Sequence, residues 1–595
     1  MSWIGPIADV VALLTPGERK RLLALTLATF LQSLVSAGVV ASVVPFLALV
    51  ANPMRIFDHD ILRAAYEGLG CEEPRDLLLF AGGALFFFLL IGNALSAGNN
   101  WLMQRFVYRK QQALASELLS HYLRQPYAFF LQRNSSELAQ NILTEVGTAV
   151  RGSLAPFTML IIRASTTLVL LGLLLYVHPV MTIVVISLVG FAYGVIFLRV
   201  RRLQRQLGKD RLEAEGQRHR IAVESLEGIK DVKALGREEA FLARFSHHAE
   251  LHAETLCRSS LVGAIPRYLL ESLAFGSVLG IVLYLLLERG DVVQALPTLG
   301  LFAFASFRII PSIQAIFQAT NQLRFTAPAV NRLREELRLP APAAADATAP
   351  PLPLEEAVRL EDVAFTYPGA PTPSLTGLSL QIPRGACVGL VGASGAGKTT
   401  VVDLLLGLHS PTSGRVVVDG VPLTPELGSR WRRSVGYVPQ QVYLSDESIS
   451  QNIAFGIPLS HIDMSAVERS ARIAHLHEFV SKLPEGYGTV IGSRGVRLSG
   501  GQRQRIGIAR ALYHDPSLII LDEATNALDG VTEGVVMEAI GELARIKTLV
   551  IIAHRLSSVR DCDVIYLLES GRLLDSGAWD EMLDRSQVFR AMAGL

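Results

Sequence analysis

Cysteine is scarce in this chain of 595 residues, and the net charge is close to zero. The four cysteines, Cys71, Cys257, Cys387 and Cys562, are scattered and lack the spacing of a metal site. Unpaired thiols are therefore expected rather than a disulfide framework. A net charge of +1 gives no reason to expect a nucleic-acid partner. No cleavable signal peptide is expected, because the first apolar segment is long enough to remain in a membrane.

Apolar residues are abundant, at 50% of the chain against 18% charged residues, and most of the excess lies before residue 330. A membrane-spanning helix needs about 20 mostly apolar residues. Six stretches meet this requirement: 22–50, 77–98, 155–177, 180–200, 262–288 and 295–320. The pattern predicts an α-helical transmembrane domain with six spans over residues 1–335.

Two long polar segments, 99–154 and 201–261, separate these stretches and are rich in arginine and lysine. Because positive charge accumulates on the cytoplasmic side, both segments and both chain termini are predicted to be cytoplasmic. The connection 52–76 is predicted to lie outside. Within it, Asp60 can cap a helix, and apolar residues then recur at helical spacing. This predicts an amphipathic helix at about 60–70 on the outer membrane surface.

A linker rich in proline and alanine is predicted at 336–355, and an α/β domain at 356–595. After the strand beginning at Cys387, the sequence fits the phosphate-binding pattern G-x-x-x-x-G-K-[ST]. Its glycines let the backbone wrap around phosphates, Lys398 is expected to reach the terminal phosphates, and Thr399 is expected to be a ligand for Mg²⁺. The predicted nucleotide-binding residues are Gly392, Ala393, Ser394, Gly395, Ala396, Gly397, Lys398, Thr399 and Thr400, and the pattern alone does not identify the nucleotide.

A second motif, Leu498-Ser499-Gly500-Gly501-Gln502, follows about a hundred residues later. It is the signature of ATP-binding cassette (ABC) ATPases, and the chain resembles that family closely. In the family, the signature of one subunit closes over ATP held by the phosphate loop of another, which implies a homodimer. The resemblance also implies the ABC exporter fold, with six spans, a cytoplasmic P-loop ATPase domain, and coupling helices near 125–137 and 226–237.

The resemblance assigns further residues of the ATPase domain by their place in the family's motifs. Asp522 would hold Mg²⁺ through water, and Glu523 would polarise the hydrolytic water. Gln440 would contact both Mg²⁺ and that water. The remaining assignments are Tyr367 on adenine, Asp529 at the dimer interface and His554 on the γ-phosphate.

One departure from the family pattern precedes the signature. The chain has Gly492-Ser493-Arg494-Gly495 where exporters often carry Gly-Glu-x-Gly. That segment normally contacts the coupling helices, so the coupling between the domains is expected to differ here.

Two arginines lie inside predicted spans, where a charge is costly and points to a cavity, a partner or a function. Arg308 stands in Arg-x-x-Pro-Ser of the sixth span, and Arg267 follows a proline in the fifth. Both contexts, with the external helix, resemble the bacterial flippases of lipid-linked oligosaccharides, which implies that these arginines grip pyrophosphate. An ion pair between Arg267 and Glu271 is the alternative. The second span has no arginine near Gly92, which departs from that group.

The expected function is ATP-driven flipping of a polyprenyl-pyrophosphate glycan across the bacterial inner membrane. A general exporter of lipids or amphiphilic drugs is an alternative with the same architecture. An ATPase that regulates a membrane partner without transport is an alternative of another class. The presence of Glu523 and of the two arginines within the spans argues against this non-transporting ATPase.

Overall fold

The computed structural model describes residues 11–594 except 13, 52–53, 55–59, 72, 178, 290–291, 341, 343–345, 347–348, 493–494, 524–529 and 554. The chain forms two compact units. The membrane unit comprises the chain up to Arg124 together with Arg133–Ala341, and the ATPase unit comprises Gln125–Gln132 and Pro342–Leu595.

The membrane unit is α-helical, as expected from its long apolar runs. Its long helices are α1 (Pro16–Ala51), α3 (Pro74–Leu123), α6 (Val146–Val177), α7 (Pro179–Glu227), α9 (Glu238–Arg289) and α10 (Val292–Arg338). Each of the six predicted apolar stretches lies within one of these helices. Among the described residues, Pro74–Leu123 and Ser135–Tyr176 contain windows long and apolar enough to cross a membrane.

The predicted amphipathic helix is present as α2 (Asp60–Gly68). Its apolar side, with Leu62 and Tyr66, packs against a small core formed by Leu49 and Leu77. On the exposed side, Arg63 Nε lies 3.0 Å from Glu67 Oε1, one helical turn away. The helix therefore joins the ends of α1 and α3 through its apolar side, and its position at the outer surface remains a prediction.

Short helices interrupt the polar segments at the predicted coupling positions. They are α4 (Tyr127–Leu131), α5 (Ser135–Gln140) and α8 (Ile229–Ala234), with a π-helical turn at Asn141–Glu145. In the membrane unit, Arg211 of α7 donates to Glu145 at 2.7 Å, and both side chains are almost fully buried. Nearby, a side chain at Gly208 would collide with the Phe325 carbonyl oxygen, so glycine permits the close approach of α7 and α10.

The ATPase unit contains two sheets. The antiparallel sheet has the order β2-β1-β4-β5 and the larger sheet β10-β9-β3-β8-β7-β6, in which β10 alone is antiparallel to its neighbour. The strands are β1 (Ala357–Phe365), β2 (Leu375–Pro383), β3 (Cys387–Gly392), β4 (Ser413–Val418), β5 (Val421–Pro422), β6 (Val435–Val438), β7 (Leu518–Asp522), β8 (Thr548–Ile552), β9 (Val564–Glu569) and β10 (Arg572–Gly577).

Helices cover the larger sheet, whose central strands are continuously apolar because both faces are buried. They are α11 (Lys398–Leu405), α12 (Pro425–Arg432), α13 (Ile449–Ile453), α14 (Met464–Ile473), α15 (His477–Ser481), α16 (Gly500–Leu512), α17 (Gly530–Ala544), α18 (Trp579–Arg585) and α19 (Gln587–Ala593). The parallel order brings the carboxyl ends of β3 and β7 to one edge, where ligands bind in open α/β sheets. All four cysteines are free thiols, as predicted.

Candidate functional site

The phosphate loop connects the buried strand β3 to the start of α11, which is the predicted context. Gly397 has φ 99°, and a Cβ there would lie 2.7 Å from Leu375 Cδ2. A Cβ at Gly392 would collide with the Leu568 carbonyl oxygen. Both positions therefore require glycine, and the loop brings its backbone amides to the N-terminus of α11, where an anion is favoured.

Lys398 is buried beneath this loop and is 6% exposed. Its ammonium donates to the carbonyl oxygens of Gly392 at 2.7 Å and Ala393 at 3.0 Å. Burial lowers the pKa of Lys398, and the nearby carboxylates Glu523 and Asp522 oppose that shift. The cation is thus positioned between the loop and two acids, where it can meet a terminal phosphate.

The two predicted acids end strand β7. Asp522 is 7% exposed, and the Tyr437 hydroxyl lies 3.5 Å from its Oδ2. Glu523 adopts φ 49°, in the left-handed region, while its amide donates to the Ile552 carbonyl at 3.1 Å. Its carboxylate accepts a hydrogen bond from Gln440 Nε2 at 2.6 Å. The structure thus brings three predicted residues together from the ends of β6 and β7.

The signature segment is shaped by its own hydrogen bonds. Ser499 caps α16: its Oγ accepts from the Gln502 amide at 3.3 Å, and its amide donates to Gln502 Oε1 at 2.8 Å. Gln502 therefore completes a reciprocal cap. The amides of Gly500 and Gly501 begin the helix, which makes this N-terminus suited to an anion.

Tyr367 is tied to the phosphate-loop helix by its hydroxyl, which lies 3.2 Å from Thr400 Oγ1 and 3.5 Å from Asp403 Oδ2. Its ring also meets His409 edge-on, with ring centres 5.6 Å apart. Burial raises the pKa of Tyr367. The predicted contact with adenine stays a prediction, since the hydroxyl anchors this ring to α11 in the structure.

Sequence reasoning missed the buried group around Asp403 and His409. Burial raises the pKa of Asp403 to about 6, the Tyr367 hydrogen bond opposes this shift, and the charge of Asp522 adds to it. The His409 ring is tilted by 49° against the ring of Tyr127 of α4, with ring centres 5.6 Å apart. These residues do not belong to one sequence motif. The only hints in the sequence were His409, shortly after α11, and the aromatic residue Tyr127 in α4.

Four predicted features lie wholly or partly outside the described part of the structure. Asp529, His554 and Ser493 are among the residues not described, as is the side chain of Arg308. Their assignments remain predictions. Arg267 is described: it is exposed, and its Nε donates to Glu271 Oε1 at 2.7 Å, which is the ion pair considered as the alternative.

The membrane unit contains a cavity of about 560 Å³ that was not predicted from any sequence motif. It lies where α3, α6, α7, α9 and α10 leave their apolar stretches. Its polar lining consists of Gln104, Arg151, Gln204, Ser259, Ser260, Gln318, Asn321 and Gln322.

Asn321 stands out within this cavity because it is 3% exposed, and neither its Nδ2 nor its Oδ1 has a partner in the described structure. Across the lining, Gln204 and Ser259 hold α7 against α9: the Ser259 hydroxyl donates to Gln204 Oε1 at 2.8 Å. Arg151 forms no ion pair with any described residue. An unpaired buried amide costs about 1–3 kcal/mol, so the cavity is suited to a polar ligand.

Comparisons with known proteins agree with this architecture. The profile described as "ABC transporter transmembrane region" matches residues 22–308, and that described as "ABC transporter" matches residues 375–526. An ATP-dependent lipid A-core flippase of Chromohalobacter salexigens is 32% identical over 486 residues, covering 81% of this chain and 82% of the relative. The mouse ATP-binding cassette sub-family B member 10, mitochondrial, is 33% identical, covering 83% and 70%.

A solved structure, that of a bacterial Atm1-family ABC exporter with ATP bound, has the same fold. It aligns with a TM-score of 0.80 at 23% identity, covering 97% of this chain and 99% of the other. The expected fold, a transmembrane exporter domain followed by an ABC ATPase domain, is confirmed. Half-transporters of this kind typically form homodimers. The chain therefore belongs to the ABC transporter family, as an exporter-type half-transporter that couples ATP hydrolysis to transport across a membrane.

Proposed function

We propose that the protein is an ATP-driven flippase for a lipid with a phosphorylated glycan headgroup. It works as a homodimer in a bacterial inner membrane, with its ATPase domains and chain termini in the cytoplasm. The polyprenyl-pyrophosphate oligosaccharide expected from the sequence belongs to this class of cargo. Relatives named as lipid A-core flippases support lipid movement in general and make lipid A-core the second candidate.

The observation that carries this proposal is the polar cavity around Asn321. Its residues lie near one end of the predicted spans: Gln104 follows the stretch 77–98, and Arg151 precedes 155–177. That end bears the two polar extensions and is the predicted cytoplasmic one. A lipid headgroup in the inner leaflet lies at this depth, so the cavity is positioned to receive a headgroup before it crosses.

The cavity chemistry favours a glycan phosphate over a simple hydrophobic drug. Amides and hydroxyls both donate and accept hydrogen bonds, which matches the hydroxyl groups of a sugar. Arg151 supplies a guanidinium, the side chain best shaped to bind phosphate through two hydrogen bonds. A cavity of about 560 Å³ lies within the usual range for small-ligand sites, about 300–1,000 Å³.

The ATP site supplies the driving force. Lys398 and the loop amides bind the phosphates, and the signature segment 498–502 of a second copy closes over them. Glu523 accepts a proton from the attacking water, and the Gln440 amide orients that carboxylate. His554 contacts the γ-phosphate, and Asp529 crosses the dimer interface, both in accordance with the family pattern.

The residues at the strand ends also fit Mg²⁺, a cation that prefers oxygen ligands. Thr399 offers an exposed hydroxyl at the start of α11, Asp522 offers a carboxylate at the end of β7, and Gln440 offers an amide oxygen after β6. When bound, Mg²⁺ neutralises charge on the transferring phosphate. Because ATP favours the closed dimer over the open one, its binding and hydrolysis bias the membrane units between two arrangements.

The cargo is tested by lipid-stimulated ATPase activity of the full-length protein in nanodiscs. We expect a polyprenyl-pyrophosphate oligosaccharide to stimulate hydrolysis, and Arg151→Gln/Asn321→Leu to raise its half-maximal concentration about tenfold or more. Gln217→Leu, on the same polar extension as Gln204 but outside the cavity, serves as the matched control. Stimulation by lipid A-core alone would favour the second candidate, and stimulation only by amphiphilic drugs would contradict both.

A further inference from the structure

A second groove in the membrane unit lies between the start of α1 and the polar part of α3, and it has a volume of about 660 Å³. Its lining is basic: Arg21, Arg105, Arg109 and Lys110 face it, with Glu18 as the one carboxylate among the lining residues. The groove differs from the polar cavity described above, since α6, α7, α9 and α10 contribute nothing to it.

The one carboxylate in the groove is already paired. Lys110 is 5% exposed, and its Nζ donates to Glu18 Oε2 at 2.8 Å. The same carboxylate oxygen accepts from the Thr15 amide at 2.8 Å. This ion pair, in which Lys110 is buried and Glu18 is partly exposed, links the first turn of α1 to α3 and neutralises both charges. The three arginines of the groove then form no ion pair with any described residue, which leaves a surplus of positive charge.

The groove also lies just beyond the predicted membrane-spanning stretch of α3. Arg105 and Arg109 are seven and eleven residues beyond the predicted apolar stretch 77–98, which corresponds to about 10 and 16 Å along the helix. Between that stretch and the arginines, Trp101 and Leu102 are 59% and 45% exposed. Tryptophan is enriched where headgroups meet acyl chains. The Arg105 guanidinium lies 5.2 Å from the centre of the Trp101 ring.

We propose that this groove binds the headgroup of an anionic phospholipid from the cytoplasmic leaflet. The phosphate lies among Arg21, Arg105 and Arg109, and Trp101 and Leu102 contact the upper part of the acyl chains. Positive charge near membrane ends is common for topological reasons alone. Here three arginines from two helices face one groove whose carboxylate is internally paired, and basic pockets between membrane helices are suited to such lipids.

The binding does not depend on the transported cargo. The lipid contacts only α1 and α3 and none of the residues that line the polar cavity, so its site is separate from the proposed cargo site. If the proposed cargo is wrong, this inference stands, and a failure of lipid binding at this groove leaves the proposed cargo unaffected.

The test measures binding of fluorescent phosphatidylglycerol and phosphatidylcholine to the detergent-solubilised full-length protein. The wild type should prefer phosphatidylglycerol. Each arginine removed should weaken that binding about fivefold, so Arg105→Gln/Arg109→Gln should weaken it about 25-fold and leave phosphatidylcholine binding unchanged. Arg105→Lys/Arg109→Lys keeps the charge and should recover part of the preference, which excludes misfolding as the cause.

The matched control is Arg220→Gln/Arg237→Gln, which removes the same charge from exposed positions on the polar extension. An equal loss in this control would show diffuse attraction rather than a site and would overturn the proposal. An unchanged lipid preference in Arg105→Gln/Arg109→Gln would overturn it as well. Inorganic phosphate forms the third arm: displacement of the lipid by phosphate at similar concentration would assign the groove to free phosphate instead.

Discussion

Glu523→Gln tests the proposed chemistry of the ATP site most sharply, because the substitution removes the base and little else. The glutamine amide has nearly the same shape as the carboxylate and retains an oxygen that can accept the hydrogen bond from Gln440. In the wild type this hydrogen bond is 2.6 Å long. The backbone at this position has φ 49°, a strain that glutamine bears as glutamate does. The folded site should therefore survive the change.

The expected magnitude follows from that geometry. A positioned general base contributes about 10²–10⁴ in rate, equivalent to about 2.7–5.5 kcal/mol of barrier. ATP binding depends on the loop amides and Lys398, which the change does not touch. Turnover should fall by about 10²–10⁴, while the dissociation constant for ATP should change by less than about threefold.

The assay compares phosphate release and equilibrium binding of a fluorescent ATP analogue, using the full-length protein in nanodiscs. Glu569→Gln is the matched control, since Glu569 ends another strand of the same sheet, β9, and is exposed. It should leave both quantities unchanged. Retention of more than about a tenth of wild-type turnover by Glu523→Gln would refute the assignment of this carboxylate as the base.

Three further predictions concern the described structure. Gly397→Ala places a Cβ 2.7 Å from Leu375 Cδ2 at φ 99°, so the affinity for the fluorescent ATP analogue should fall by about tenfold or more; unchanged affinity would contradict the loop geometry. Arg211→Met leaves Glu145 buried without its partner and should destabilise the membrane unit by about 3–5 kcal/mol in thermal unfolding, which Arg211→Met/Glu145→Gln should largely restore. Asp403→Asn should raise the unfolding temperature at pH 8 and have little effect at pH 4. Burial raises the pKa of Asp403 from 3.8 to about 6. The wild type therefore loses up to about 3 kcal/mol of stability as the pH rises from below 3.8 to above about 6, because the folded protein must then hold a buried charge. An equal effect of Asp403→Asn at both pH values would show that the Asp403 charge is not the cause.

The sequence predicted the features whose spacing is local. Three such features are the phosphate loop, the acids Asp522 and Glu523 at the end of an apolar strand, and the helix at 60–70. Each occupies a short run of residues, so it could be predicted from the order or periodicity of neighbouring residues. The short helices near 125–137 and 226–237 were expected from the family resemblance. These features depend on backbone geometry that nearby residues determine.

Features assembled from distant segments were not predictable in the same way. Asn321 and Arg151 are separated by 170 residues, and each is ordinary in its own helix; only the packing of five helices makes them line one cavity. The same holds for Lys110 with Glu18 and for Asp403 with Tyr367. The ion pair of Arg267 with Glu271 is a local feature by contrast. The two residues lie one helical turn apart, so the pair could be considered from the sequence, and the structure contains it.

The most direct test of the central claim is lipid movement in liposomes that contain the purified protein and a labelled polyprenyl-pyrophosphate oligosaccharide. A second set of liposomes carries labelled lipid A-core. We expect ATP-dependent loss of the first label from one leaflet, no loss with Glu523→Gln, and slower loss with Arg151→Gln/Asn321→Leu. ATP hydrolysis by the wild-type protein without movement of either lipid would contradict the proposed flippase function. The assignment as an ABC ATPase would then stand, and its cargo would be neither of these lipids.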